Sequence, residues 1–484
     1  FTRASGHVPD PGECSPTSSP LSSPRLEDLF GLDTDAPKHS IRRPSASRPT
    51  SQARGDRNAR HDLSQKLPLR WGMGASGSPS EGSRRRGDEG GAAVVDTKST
   101  EAIGKDVATG EPTDMPGAAA RDALALGGID HIEFYVGNAR QAAHFYSSGF
   151  GYRVVGYAGP ETGVRDRASY VLEQGASRLV LTTPLDPDSP IASLVARHGD
   201  GVHDIALRVH DAEAAFEAAV ARGARPVAEP TEVKDDAGSL GHAAIATFGD
   251  TVHSFIGRDD YTGVFRPGYQ RLDRATADTG RAPGITEVDH VVGNVELGKM
   301  DEWVEFYERV LGFSQLAHFS DEAISTEYSA LMSKVVWDGV GKVKFPLNEP
   351  ALGKRKSQID EYLEFYRGPG VQHIALSVED ILVAVAAIRS RGVDFMATPD
   401  IYYEQLAGDI GDLDLDLDAL RSHAVLLDRD EEGYLLQIFS RMVQDRPTVF
   451  FELIERHGSR GFGEGNFKAL FVAIEREQAE RGNL

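Results

Sequence analysis

The chain has 484 residues, one cysteine, 40% hydrophobic residues and a formal net charge of −22. At roughly 100–200 residues per domain this length allows about two to four domains, and the acidity argues against a nucleic-acid or acidic-membrane binder, which needs basic surface. Cys14 as the only thiol excludes an internal disulfide framework, a cysteine zinc cluster and an iron–sulfur site; no apolar run approaches the roughly 18 residues of a bilayer span, so the expectation is a soluble, cytoplasmic protein.

The first stretch differs from the rest. Residues 1–110 carry 16 Lys+Arg and 14 Asp+Glu, which leaves 36 basic and 60 acidic residues for the remainder. Ser, Pro, Gly and Arg crowd Ser15–Pro24, Ile41–Arg60 and Gly72–Gly91. Such a composition buries too little apolar surface to offset its ordering entropy, so residues 1–115 are expected to be a disordered extension. The scattered acidic residues count against a transit peptide. The chain opens with Phe1, which points to an upstream extension or a start site placed too early as readily as to a working tail.

From Ala118 onward the chain repeats itself. Ile129-Asp130-His131 opens one segment and Val288-Asp289-His290 another, each followed by Val-Gly-Asn at Val136–Asn138 and Val292–Asn294. Amphipathic helix patterns come next, Ala142–Tyr146 and Trp303–Tyr307, each stopping at a glycine-containing turn. Gly201–Leu207 then aligns with Gly370–Leu376, and both run through an aspartate, Asp211 or Asp380, placed to cap a helix that ends at Gly223 or Gly392. Short strands bounded by turn residues fill the intervals: Tyr170–Leu172, Arg178–Thr182, Ala243–Thr247 and Lys342–Phe345. The pattern predicts an α+β fold of four βαβββ modules, paired into two half-barrel domains at 120–270 and 283–484. Arg271–Pro283 reads as the linker.

Comparing the halves singles out candidate ligands. His290 and His373 occupy matching strands, and Glu452 interrupts the apolar run Thr448–Ile454. A buried, unpaired carboxylate costs several kcal/mol and needs a cation. One partner would be Arg456; the alternative is that two imidazoles and the carboxylate converge on a divalent metal. The first half keeps His131 but has Asp204 where His373 stands, and alignment of Thr251–Phe255 puts Phe255 at the carboxylate position. His131 and His203 therefore read as structural. Two histidines and one carboxylate leave adjacent positions open, which suits non-haem Fe(II), with zinc as the other candidate.

Ser333, Asn348, Gln358, Gln372 and Gln437 fall on strand segments of the same half, accompanied by Phe439, Phe450, Phe462 and Phe467. Amides and a hydroxyl suit a phenol or an oxo acid, and phenylalanines can sandwich an aromatic ring. Arg460–Phe471 joins a glycine-rich turn to a helix at about 465–480 with Phe467, Leu470, Phe471 and Ile474 on one face. Without strand–turn–helix context the glycines make a weak phosphate loop. They fit better a helix that covers a pocket.

These strings carry a resemblance. Val288–Val295, Phe345–Pro350, Lys356–Ile359, Gly370–Leu376, Leu435–Phe439, Arg446–Glu452 and Gly461–Phe467 occur in order, and from about Gly128 the chain resembles the 4-hydroxyphenylpyruvate dioxygenases of the vicinal-oxygen-chelate (glyoxalase–bleomycin resistance–dioxygenase) superfamily. The resemblance implies Fe(II) held by His290, His373 and Glu452. It also implies conversion of 4-hydroxyphenylpyruvate and O₂ to homogentisate and CO₂ by oxidative decarboxylation, ring hydroxylation and side-chain migration, a step of tyrosine catabolism. By the same implication Ser333, Asn348, Gln358 and Gln372 orient substrate and Gln437 lies beside the iron. Pro346, Phe439, Phe450, Phe462, Asn466 and Phe467 bind the substrate. A homodimer or homotetramer is implied by the family alone. Two other readings stay open: 4-hydroxymandelate synthase, a similar branch with the same substrate and iron, and a non-catalytic binding protein on this scaffold. Pro346, Asn348 and Phe467 match the dioxygenase pattern where the mandelate-forming branch departs from it.

Overall fold

The computed structural model describes residues 124–272, 282–319, 330–351, 353–409, 413 and 415–483. The expected extension over 1–115 and the centre of the Arg271–Pro283 linker lie outside the described residues.

The first half forms strands β1 (Gly128–Tyr135), β2 (Arg153–Ala158), β3 (Arg167–Gln174), β4 (Ser177–Pro184), β5 (Gly201–Val209), β6 (Pro226–Asp235), β7 (Gly238–Ala246), β8 (Val252–Gly257) and β9 (Gln270–Arg271), with helices α1 (Ala139–Gly149), α2 (Pro190–His198) and α3 (Ala212–Ala221). The second half contributes β10 (Ile285–Asn294), β11 (Ser314–Phe319), β12 (Ala330–Trp337), β13 (Lys344–Ala351), β14 (Gly370–Val378), β15 (Leu426–Arg429), β16 (Tyr434–Phe439) and β17 (Phe450–His457). Its helices are α4 (Met300–Phe306), α5 (Gln358–Tyr366), α6 (Ile381–Ser390), α7 (Asp400–Asp409), α8 (Leu417–His423) and α9 (Glu464–Glu480).

Two sheets result, ordered β6-β7-β8-β5-β1-β4-β3-β2-β9 and β11-β12-β13-β10-β14-β17-β16-β15. Read in opposite directions and without β9, the two orders are the same. In each module the first and last strands pair in parallel, β1 with β4, β5 with β8, β10 with β13 and β14 with β17. The two modules of each half meet through antiparallel central strands, β1 with β5 and β10 with β14. The expected α+β architecture of four βαβββ modules in two half-barrels is therefore the observed one.

Local chemistry explains the helix starts. Asp211 accepts from the amides of Glu213 and Ala214, and Asp380 accepts from that of Val383, as their spacing predicts. Asn138 caps α1 through the Gln141 amide. α4 runs on into a π-helical turn over Tyr307–Leu311 that ends at Gly312, whose φ of 72° favours a residue without a Cβ.

One apolar core spans both halves. Phe451 of β17 reaches from the second half into an aromatic group of the first, with its ring 4.9 Å from Phe150 and 5.6 Å from Tyr146. His253 of β8 is fully buried and lies 2.9 Å from the Tyr307 hydroxyl and 2.8 Å from the Ile205 carbonyl. No described helix is long and apolar enough to cross a membrane.

Candidate active site

β10 and β14 carry His290 and His373, and Glu452 stands opposite Ala375 on β17. Two register shifts in the β10/β14 ladder prepare the histidines. Pairing steps from Val288 to His290 against Leu376 and Ala375, which leaves Asp289 as an extra residue. It then steps from Val292 to Gly293 against His373 and Val371, which leaves Gln372 extra. Regular alternation sends neighbouring side chains to opposite faces, whereas a bulge re-aims one of them. Asp289 Oδ1 consequently lies 2.8 Å from His290 Nδ1, and Gln372 Oε1 lies 3.2 Å from His373 Nδ1. An acceptor at each Nδ1 favours the tautomer whose Nε2 lone pair is free to bind a metal.

The two Nε2 atoms face one carboxylate oxygen. Glu452 Oε2 is 3.2 Å from His290 Nε2 and 3.4 Å from His373 Nε2, and ligand atoms of the three residues lie within 4.8 Å of one another. All three are buried, and Glu452 Oε1 has no hydrogen-bond partner. Burial works against the charged forms, yet Glu452 together with Asp289 holds the His290 imidazole above its ordinary value. Burial outweighs the pull of Glu452 at His373 and lowers it. For Glu452 burial raises the carboxyl and the two imidazoles overcome it, leaving it below the usual range. A buried carboxylate oxygen without a partner, beside two imidazole nitrogens, fits a divalent metal of the iron or zinc kind. Arg456 does not serve as the carboxylate's counter-ion: its Nε and Nη2 each lie 2.8 Å from Asp289, with Lys344 Nζ at 2.9 Å from the same carboxylate. Against the cost of burial, these cations and His290 hold the Asp289 carboxyl well below the usual range.

The triad opens into a cavity whose lining is more apolar than polar. Ser333, Pro346, Asn348, Gln358, Gln372, Phe439 and Phe462 line it. Ser333 and Asn348 are direct cross-strand neighbours on β12 and β13. Gln358 is not on a strand; it begins α5, where a capping box between Ser357 and Asp360 fixes the helix start. Four candidates are placed otherwise. Phe450 stacks behind His373, ring centroids 4.7 Å apart, and is not on the cavity wall. Gln437 lies under Gly463 with neither amide atom paired. Asn466 accepts a hydrogen bond from Tyr402 at 2.6 Å. The Phe467 side chain lies outside the described residues. Sequence reasoning missed the apolar wall of Val292, Leu331 and Val335, which looks like ordinary strand core. It also missed fully buried Asn294, whose Oδ1 accepts from Asn348 Nδ2 at 3.4 Å; only the Val-Gly-Asn repeat pointed there.

α9 closes the cavity with Leu470 and Phe471, as its predicted apolar face implies. Arg481 pairs with Glu361 at 2.6 Å and Arg441 with Glu477 at 2.7 Å, which ties the helix to α5 and to the loop after β16. Its N-cap Gly463 is left-handed at φ 76°. This backbone conformation favours glycine, and a Cβ there would also meet the end of the Gln437 side chain at 2.0 Å.

The first half corrects one alignment. Val252 pairs with Asp204 as Phe450 pairs with His373, so the equivalent of Glu452 is Ser254, not Phe255. Phe255 is a core residue, one position out of register and hence on the other face. Asp204 accepts from both the backbone N–H and the hydroxyl of Ser254, at 3.0 and 2.5 Å, which satisfies the carboxylate without a metal. His203 stacks on Tyr135 with ring centroids 4.2 Å apart. Among the described residues the only group of three metal-ligating side chains is that of the second half.

A family model of the Glyoxalase/Bleomycin resistance protein/Dioxygenase superfamily matches residues 287–438, and a second of the same description matches 130–240. The chain is 46% identical to 4-hydroxyphenylpyruvate dioxygenase of Dictyostelium discoideum, over 74% of this chain and 100% of that protein. It is 44% identical to the protein of that name from Aspergillus fumigatus, over 74% and 94%. Among solved structures, a triple mutant of 4-hydroxymandelate synthase from Streptomyces coelicolor is 36% identical, with a TM-score of 0.65 over 72% of this chain and 98% of that one.

Proposed function

The chain belongs to the 4-hydroxyphenylpyruvate dioxygenase family, a family of oxidoreductases, and from that membership we propose that it converts 4-hydroxyphenylpyruvate and O₂ to homogentisate and CO₂. The observation that carries the reading is the buried His290–His373–Glu452 triad at the wall of a cavity lined by amides, a hydroxyl and phenylalanines. In this reading the triad holds Fe(II). When bound, that ion supplies the redox chemistry by which dioxygen reacts with the substrate's own 2-oxo acid.

The chain's residues do the rest. Asp289 and Gln372 set the histidine tautomers. Ser333, Asn348, Gln358 and Gln372 offer donors and acceptors to the polar ends of the substrate, and Asn294 orients the Asn348 amide. Phe439 and Phe462 flank the ring, while Leu470 and Phe471 of α9 exclude water from it. A cytoplasmic homo-oligomer is part of the proposal and rests on the family alone.

The solved 4-hydroxymandelate synthase supports the fold more than the chemistry, because the relatives named 4-hydroxyphenylpyruvate dioxygenase are more similar in sequence. Pro346 and Asn348 on the cavity wall also match the dioxygenase pattern. Incubating the protein with Fe(II), O₂ and 4-hydroxyphenylpyruvate and separating the products by chromatography tests the proposal. Homogentisate is expected; hydroxymandelate without homogentisate would overturn it.

A further inference from the structure

The side chains that surround His290 occur a second time, around a histidine that belongs to no group of three metal-ligating side chains among the described residues. In the second half Asp289 meets His290 Nδ1 at 2.8 Å and takes both arms of the Arg456 fork at 2.8 Å. In the first half Asp130 meets His131 Nδ1 at 2.8 Å and takes the Arg258 fork at 2.6 and 2.7 Å. Further cations join each carboxylate, Lys344 at 2.9 Å on Asp289, and Arg208 at 3.5 Å with Arg178 at 3.6 Å on Asp130. The third guanidinium nitrogen reaches the chain beyond the last strand: Arg456 Nη1 donates to the Gly461 carbonyl at 2.6 Å, and Arg258 Nη1 donates to that of Phe265 at 2.7 Å. That returning chain lays a phenylalanine edge-on to the histidine, Phe462 at 5.1 Å from His290 and Phe265 at 4.9 Å from His131. Each arginine also stands over its phenylalanine, at 5.7 and 5.5 Å.

The two copies lead into different elements. Beyond Phe265 the chain continues to β9, which pairs with β2. Beyond Phe462 it becomes α9, which closes the cavity. The clamp therefore exists without a metal triad and without a covering helix. It is a device of the repeated scaffold that fixes one imidazole and the returning chain against each other.

We propose that Arg456 is a positioning residue that makes metal retention at His290 and placement of the root of α9 a single property. One planar group holds the Asp289 carboxylate that orients the ligand and the Gly461 carbonyl from which the covering segment departs, and it does so with three donors. Lysine, a point charge with one nitrogen, cannot hold all three directions. Asp430 fixes the same root from the other side, accepting from the amides of Arg460 and Gly461 at 3.1 and 3.0 Å. The inference rests on the metal reading given under the proposed function.

The test titrates the metal-free protein, residues 1–484, and its variants with Co(II) while recording the visible absorption of the bound ion, which reports coordination directly. Arg456→Lys is expected to weaken Co(II) binding by about 10–100-fold, the usual effect of losing an outer partner of a ligand. Its absorption bands should change, and chymotrypsin should cut the Phe462–Phe471 region faster. Arg258→Lys removes the same chemistry from the first half. It is expected to lower Tm while leaving Co(II) affinity and spectrum as in the wild type. Should Arg456→Lys not accumulate as folded protein, Arg456→Gln, which keeps a shorter donor toward Asp289, takes its place. Wild-type affinity and spectrum in the Arg456 variant would overturn the proposal. So would an equal loss in Arg258→Lys, since the effect would then be one of stability alone. His290→Ala separates the two levels: if it binds Co(II) unchanged, the metal site itself is wrongly assigned.

Discussion

Asp289 and His290 are consecutive residues of one strand, and the Asp289 carboxylate nevertheless meets His290 Nδ1 at 2.8 Å. The extra residue in the β10/β14 ladder makes this contact, and a second register shift in the same ladder seats Gln372 against His373. The bulges thus determine which nitrogen of each imidazole is offered to a metal.

Asp289→Asn keeps the shape and removes the charge. It leaves Arg456 and Lys344 without their buried counter-ion, and breaking such a network costs about 3–5 kcal/mol. Urea denaturation should show that loss near neutral pH. The sign with pH comes from the depressed Asp289 carboxyl. Its contribution is full above the unfolded value of about 3.9 and disappears as pH falls through and below it. The variant should therefore show a flatter acid limb than the wild type. An unchanged acid limb would argue against Asp289 as the hub.

Glu452→Gln is nearly isosteric and replaces the anionic donor by a neutral amide. Turnover should fall by more than about 100-fold, beyond the range that loss of an outer partner produces. Fe(II) retained after gel filtration should fall with it. Undiminished turnover would remove Glu452 from the metal site.

Gly463→Ala adds a Cβ where φ is 76° and Gln437 is already in the way. A left-handed non-glycine residue costs about 1–2 kcal/mol, and the displaced root of α9 should raise KM for the oxo acid more than it lowers kcat. Thermal denaturation and steady-state kinetics measure the two effects separately. An alanine variant matching the wild type in both would show that the chain accommodates the methyl group.

His253 is the pH-sensitive bolt between the halves. Burial pushes its imidazole down to about 4, so the unfolded chain binds a proton there before the folded chain does. Stability from this residue is full above about pH 6.5 and declines toward about pH 4, amounting to about 2 kcal/mol between about pH 7.5 and about pH 5. Urea midpoints of wild type and His253→Gln at these two pH values give the contribution by difference. An equal pH response in both proteins would exclude it.

Much of the site is legible in the sequence because the chain contains its own control. The Ile-Asp-His and Val-Asp-His openings, the capping aspartates and the carboxylate inside Thr448–Ile454 each mark a feature that the fold uses. Features that depend on one residue of register are not legible. Ser254 rather than Phe255 matches Glu452, because an apolar run reads equally well on either strand face until its partner strand is known. Gln358 sits at a helix start that a serine three residues before an aspartate could have signalled. Arg456 pairs with Asp289 and not with Glu452, since sequence distance favours Glu452 while the bulge brings Asp289 within reach.

Adjacent positions of β17 serve two different clients. Glu452 faces His290 and His373, while Phe451 beside it is gripped by Phe150 and Tyr146 of the other repeat. The copy without ligands is thus the anvil against which the working strand is held. A fragment beginning at residue 283 would keep every proposed ligand and lose the backing of the strand that bears one of them, so the first copy cannot be discarded even though it carries none of those ligands.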